Sequence, residues 1–165
     1  MSRIHQLSSV QKIPASIEDT WAFFSDPHNL AAITPASLGF KVTRPLFGKE
    51  TYAGQVMTYT VRPLLGIPLS WMTEITHVRK PEFFTDEQRK GPYRLWHHQH
   101  HFKAIDGGVE MTDLVHYRLP FGWLGELAHG PIVRGKLEDI FRYRYDRIVE
   151  KFGVWPGAVP KLEID

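Results

Sequence analysis

The sequence predicts an α+β fold in which a run of antiparallel strands packs against one long C-terminal helix, and three observations carry that prediction. From Leu38 to Leu119 apolar and polar residues alternate with period two, as in strands with one buried face. From Val133 to Phe152 the period becomes helical, and Val133, Leu137, Ile140, Phe141, Ile148 and Phe152 fall on one stripe. Ahead of the strands, two capping signals stand in tandem at Ser16 and at Asp26-Pro27. A helix with an apolar stripe must cover something, and a sheet that curves around it encloses space.

Taken in order, residues 3–13 read as an extended segment ending at Pro14. Ser16 then caps a short helix, with Asp19 near the capping-box position and Ile17, Thr20, Trp21 and Phe24 at helical spacing. Asp26 and Pro27 restart the chain for one or two further turns, which Thr34-Pro35 closes. Six strands follow, in "LGFKVTR", "GQVMTYTVR", "LSWMTEITHV", "EFFTDEQ", "YRLWHHQHHFKAI" and "GVEMTDLVHYRL". "IDGG" between the last two is a strong hairpin signal, and "RPLLGIPLS" reads as a longer turn. With the first segment this makes seven strands. Pro131 suits the start of the final helix or a kink in one beginning near Leu124, and the last thirteen residues, "GVWPGAVPKLEID", read as a loose tail.

The 165-residue length fits one domain, placed at residues 1–152 with the tail at 153–165. There is no cysteine, which excludes disulfides, thiolate chemistry and Cys-ligated zinc. The N-terminus lacks the apolar core of a secretory signal, and no apolar run approaches the ~20 residues of a membrane span. A cytoplasmic protein without stable membrane insertion is the expectation. The formal charge is +2. The only basic concentration, "FRYRYDRIVEK", reads as a solvated helix face, so no nucleic-acid partner is expected. Arg144 nevertheless shares a helical face with Ile140 and Ile148. Five Trp, ten Phe and six Tyr imply a bulky core or a pocket lined with rings.

The phrases "IPASIEDTWAFFSDPHNLAAITP", "GPYRLWHHQHHF", "MTDLVHYRLPFG" and "LEDIFRYR", in this order, resemble the helix-grip superfamily of START domains, birch-pollen allergens and polyketide cyclase/dehydrase proteins (SRPBCC). Among these they most resemble the bacterial ligand-binding members, over roughly residues 3–152. The resemblance implies a curved seven-stranded antiparallel sheet around a long helix, with two short helices after the first strand and a cavity for apolar ligands. Members bind lipids, sterols and polyketides, and some are enzymes.

The stretch "LWHHQHHF" poses the chemical question. Alternate strand residues share a face, so Trp96, His98, His100 and Phe102 form one set, and Leu95, His97, Gln99, His101 and Lys103 the other. The set framed by aromatics should face the cavity, leaving His97 and His101 outside. On the hairpin partner, Val109, Met111, Val115 and Tyr117 share a face that also carries Asp113. An acid there is costly unless paired, which puts Asp113 near His98 or His100. Trp71 and Tyr59, each on an apolar strand face, are further cavity-wall or core positions. Asp86 and Gln88 either reach the cavity rim or, the expected alternative, make turn hydrogen bonds before Gly91-Pro92. His28 and His129 read as surface residues.

Four readings of the polar spot stay open: mutual satisfaction of buried groups, orientation of a ligand's polar end, metal binding with Asp113 or Asp86 as third ligand, and acid–base catalysis by a His-Asp pair. The favoured function is binding of a small apolar or amphipathic molecule, without enzymatic turnover, at Trp96, His98, His100, Phe102, Met111, Asp113, Tyr117, Trp71 and Tyr59. The alternative is a polyketide cyclase/dehydratase-like enzyme using His98, His100 and Asp113. No cofactor is expected, and no tight metal site, because only two histidines are adjacent. An interaction module with a filled core would need no ligand.

Overall fold

The computed structural model describes residues 3–44, 48–62, 66–123 and 129–165. The elements are β1 (His5–Ile13), α1 (Ile17–Phe24), two 3-10 turns (Pro27–Ile33 and Ala36–Leu38), β2 (Lys41–Val42), β3 (Val56–Val61), β4 (Leu69–Arg79), β5 (Phe83–Lys90), β6 (Leu95–Ile105) and β7 (Gly108–Arg118). A π-helical turn (His129–Arg134) then leads into α2 (Gly135–Phe152), and β8 (Lys161–Ile164) ends the chain. The long turn at 63–65, the helix start near Leu124 and the His129 side chain lie outside the described residues.

All strands join one antiparallel sheet in the order β2-β3-β4-β5-β6-β7-β1-β8. The expected count of seven becomes eight because the C-terminal segment is not loose. Its "KLEI" pairs with Leu7–Val10 of β1, and Ile164 is buried beside Leu7. Before that strand, the Trp155 ring lies against Gly107 in the β6–β7 turn and beneath Lys12. Two prolines and two glycines bend this segment back to the sheet without preventing its last residues from extending.

The caps form as the sequence predicts. Ser16 Oγ accepts from the Asp19 N–H at 3.0 Å and donates to Asp19 Oδ2 at 2.7 Å. Asp26 Oδ1 accepts from the His28 N–H at 2.9 Å. In the β6–β7 turn Gly107 takes a positive φ of 82°, and a Cβ on Gly108 would stand 2.1 Å from the Ile13 carbonyl oxygen. Glycine is required at both positions for different reasons. Bulges flank Thr73–Ile75 in β4, where the pairing with β5 shifts register.

α2 lies on the inner face of the sheet through Leu137, Phe141, Arg144 and Ile148. Two apolar clusters flank the middle of that face. One gathers Trp21, Phe84, Phe102, Met111 and Ile148 beneath α1, and the other gathers Leu7, Val115, Tyr117, Leu137 and Phe141 toward β8. Between them the same strands carry His98, His100 and Asp113, all buried. Among the described residues no helix is long and apolar enough to cross a membrane.

Candidate functional site

The site is assembled by register. On the inner face Asp86 of β5 stands opposite His98 of β6, and His100 of β6 stands opposite Asp113 of β7. The four side chains form two carboxylate–imidazole pairs set diagonally across three strands. The His98 and His100 rings lie 3.8 Å apart, and His100 stacks on Phe84 at 4.2 Å. Asp113 Oδ1 is 2.9 Å from both His98 Nε2 and His100 Nδ1. Asp86 Oδ2 is 2.9 Å from His100 Nε2 and 3.5 Å from His98 Nδ1. From α2, Arg144 Nη2 reaches Asp113 Oδ1 at 3.2 Å and lies 3.3 Å from His100 Nδ1.

His97 and His101 point to the other face, where His97 pairs with Glu87 and both contact Gln99. The face assignment read from the sequence therefore matches the structure. His28 is half-exposed beside Asp26.

The electrostatics follow from burial and from these pairs. Burial pushes the Asp113 carboxyl up, but the Arg144 guanidinium and hydrogen bonds from His100 and His98 overcome it and hold Asp113 well below the usual carboxylate range. Asp86 is lowered in the same way: burial raises it, and the His100 hydrogen bond with the nearby His98, His100 and Arg144 outweighs that. The two imidazoles part company. Burial, then its neighbour His100, depress His98 despite the Asp113 hydrogen bond. For His100 burial also depresses, but hydrogen bonds with Asp113 and Asp86 prevail and raise it. The two coupled bases between two acids are thus pushed in opposite directions, His98 down and His100 up.

A cavity of about 220 Å³ opens onto this cluster, between α1 with its following turns, strands β3–β6 and α2. Its apolar wall includes Phe24, Tyr59, Trp71, Trp96, Ile140 and Phe141. Asp86, His98, His100 and Arg144 line it at the polar end. Burial and then the Asp86 charge push the Tyr59 hydroxyl up, and it is bonded to Thr73 Oγ1 at 2.6 Å. Ser25 Oγ, Trp71 Nε1 and Arg144 Nε, all on lining residues, are shielded from solvent with no hydrogen-bond partner among the described residues.

Of the positions expected to contact a ligand, Tyr59, Trp71, Trp96, His98 and His100 line the cavity. Asp113 stands behind the imidazoles. Phe102, Met111 and Tyr117 are packed into the flanking clusters instead, with Phe102 against Trp21 at 5.7 Å and Phe24 at 5.4 Å, and Tyr117 against His5 at 5.4 Å. Period-two alternation gives a residue's face but not its distance along the strand from the covering helices.

Sequence reasoning leaves Asp86 and Gln88 open between the cavity rim and turn hydrogen bonds and favours the turn. The structure divides them, with Asp86 lining the cavity while the Gln88 amide donates to the Tyr93 carbonyl at 2.6 Å and accepts from the Tyr93 N–H at 3.2 Å. Arg144 was assigned to a solvated face, yet it is 8% exposed. Its spacing from Ile140 and Ile148 was the signal.

No protein-family model matches the chain, and no curated protein matches it. Solved structures do. A Mycobacterium smegmatis protein superposes with a TM-score of 0.62 at 18% identity, over 88% of this chain and 89% of that one. A Chromobacterium violaceum protein gives 0.65 at 12%, over 91% and 98%. A major latex-like protein of Panax ginseng gives 0.65 at 16%, over 90% and 97%. At these identities the likeness is one of fold: a large antiparallel sheet wrapping a C-terminal helix, the helix-grip arrangement.

Proposed function

We propose that the protein binds a compact amphipathic molecule in this cavity, with its apolar body against the ring-lined wall and its polar end at Asp86, His98, His100 and Arg144. The observation that carries the reading is the cavity's composition, an apolar wall ending in one buried polar cluster. The unpartnered Trp71 Nε1 and Arg144 Nε are both donors and favour a ligand with carbonyl or phenolic oxygens. At about 220 Å³ the cavity falls below the roughly 300–1,000 Å³ of common ligand pockets. A ring compound fits that size better than a long-chain lipid or a sterol. The helix-grip fold agrees with a cavity protein and names no ligand.

A second reading, an enzyme of the cyclase/dehydratase kind, draws on one observation. His98 is hydrogen-bonded to Asp113 at 2.9 Å, as a general base would be, and burial holds its imidazole below the ordinary value. Turnover of the bound compound separates it from binding alone.

The test is a panel of hydroxylated aromatic ketones and acids, matched apolar hydrocarbons and long-chain fatty acids. Ring compounds bearing acceptor oxygens should change the fluorescence of Trp71 and Trp96, displace an apolar dye and raise Tm by an amount that grows with concentration. If no compound raises Tm, or only long chains do, the reading fails.

A further inference from the structure

We propose that Asp86, His98 and His100 hold one divalent transition-metal ion, with Asp113 orienting both imidazoles from behind and the remaining coordination positions facing the cavity. The sequence-based expectation of no tight metal site rested on finding only two adjacent donors, and the fold supplies a third. Asp86 Oδ2, His98 Nδ1 and His100 Nε2 all lie within 4.8 Å of one another. Two of the spacings are 2.9 and 3.5 Å. Metal–ligand bonds of about 2.0–2.2 Å place neighbouring donors roughly 3–3.5 Å apart, so both spacings from Asp86 already suit an ion.

Hydrogen-bond accounting points the same way. Asp113 Oδ1 faces His98 Nε2 and His100 Nδ1 at 2.9 Å each. A carboxylate only accepts, so His98 Nε2 carries its hydrogen there, and a neutral His98 then keeps its lone pair on Nδ1, 3.5 Å from Asp86 Oδ2. His100 has two arrangements: Nδ1 bears the hydrogen toward Asp113, or Nδ1 accepts from Arg144 Nη2 at 3.3 Å while Nε2 donates to Asp86. A cation selects the first, in which His98 Nδ1, His100 Nε2 and the Asp86 oxygen all offer it lone pairs. A carboxylate behind the imidazole is also how ligating histidines are commonly fixed in tautomer and orientation.

Charge and access complete the case. With both imidazoles neutral, the carboxylates of Asp86 and Asp113 beside the one guanidinium of Arg144 leave one negative charge in the cluster. Two imidazoles and one carboxylate suit zinc or another first-row divalent ion rather than magnesium or calcium. All three donors line the cavity while Asp113 does not. A bound ion would therefore present its open positions to a ligand oxygen.

The inference goes beyond the ligand-cavity reading while sharing its cavity, and the two tests are kept apart. Metal binding is measured without organic ligand, and dye displacement is measured in the presence of chelator. Tag-free protein stripped by chelator is titrated with zinc chloride in a calorimeter and with cobalt(II) followed by visible absorption. One equivalent per chain should bind at micromolar affinity or tighter. Asp86→Asn and His98→Gln should abolish binding, and Asp113→Asn should weaken it by about 10–100-fold. The outer-face double variant His97→Ala/His101→Ala should bind like wild type. Circular dichroism of each variant checks its fold. Because a variant can lose its fold, cobalt-loaded wild type gives an independent readout: two paramagnetically shifted, exchangeable imidazole N–H resonances, from His98 and His100. Absence of binding by wild type, binding that survives Asp86→Asn in a folded protein, binding lost in the outer-face variant, or a cobalt complex without those two resonances would overturn the proposal.

Discussion

Arg144 concentrates the energetic question of the core. Its guanidinium lies 5.3 Å from the Phe24 ring and 5.9 Å from the Phe141 ring, and pairs with Asp113 at 3.2 Å. Removing one partner of a buried ion pair leaves the other uncompensated and costs about 3–5 kcal/mol. We expect Arg144→Met and Asp113→Asn each to destabilise by an amount of that order in urea melts. The double variant should cost clearly less than the sum, because each single change already breaks the pair. Strict additivity would mean that the two side chains do not interact in solution. The sequence held half of this. Helical spacing put Arg144 on the apolar stripe, charge put it in water, and spacing prevailed because a partner waits on β7. That partner is 31 positions away, beyond any periodicity. Asp86 was harder still, since its meeting with the histidines depends on the β5–β6 register, which the Gln88–Tyr93 clamp fixes across the Gly91-Pro92 turn.

At the scale of elements, local chemistry wrote most of the structure and the C-terminal strand is the exception. The Ser16 cap was legible because its partner is three residues away. Ser16→Ala should cost about 1 kcal/mol and loosen α1. β8 was not legible: four residues of "KLEI" give too short a period, and their reason for extending is the free edge of β1. Ile164→Ala should cost about 2 kcal/mol or more, since Ile164 is buried beside Leu7. The strand is also pinned by Asp165, whose carboxylate accepts from the Gln6 N–H at 2.7 Å and pairs with Arg3 at 3.0 Å. The Gln6 hydrogen bond, opposed by slight burial and aided by Arg3, lowers the Asp165 carboxyl below its ordinary value. A depressed carboxyl stabilises the fold above its unfolded pKa, and that stabilisation is lost as pH falls through the folded value. Because Asp165 is half-exposed, the effect should be small and local. Amide exchange at Gln6 should quicken below about pH 4 in wild type, after correction for intrinsic rates. In Asp165→Asn that acid-dependent step should vanish, and its persistence would place the titrating group elsewhere.

For the whole molecule the decisive matter is whether the space between sheet and α2 stays open, because a helix-grip domain packed solid would serve as an interaction module and need no ligand. The two apolar clusters and the cavity lie on one continuous inner face, so a single substitution can be placed in each environment. Val61, 5% exposed on β3, lines the cavity. Val115, fully buried on β7, belongs to the cluster with Leu7 and Tyr117. Phenylalanine at position 115 forces extra atoms into packed space, and Val115→Phe should cost about 1–3 kcal/mol. The same ring at position 61 finds a cavity of about 220 Å³ waiting. Val61→Phe should leave stability unchanged or raise it by about 0.5–2 kcal/mol, as cavity filling does, while weakening the apolar dye. Urea melts and dye titration on the two variants give the answer together. If both substitutions destabilise alike and dye binding is indifferent to position 61, the face is packed along its whole length in solution and the ligand reading falls with it. If they diverge as expected, the protein has given up some stability to keep one end of its core open, the trade that a binding site built inside a fold requires.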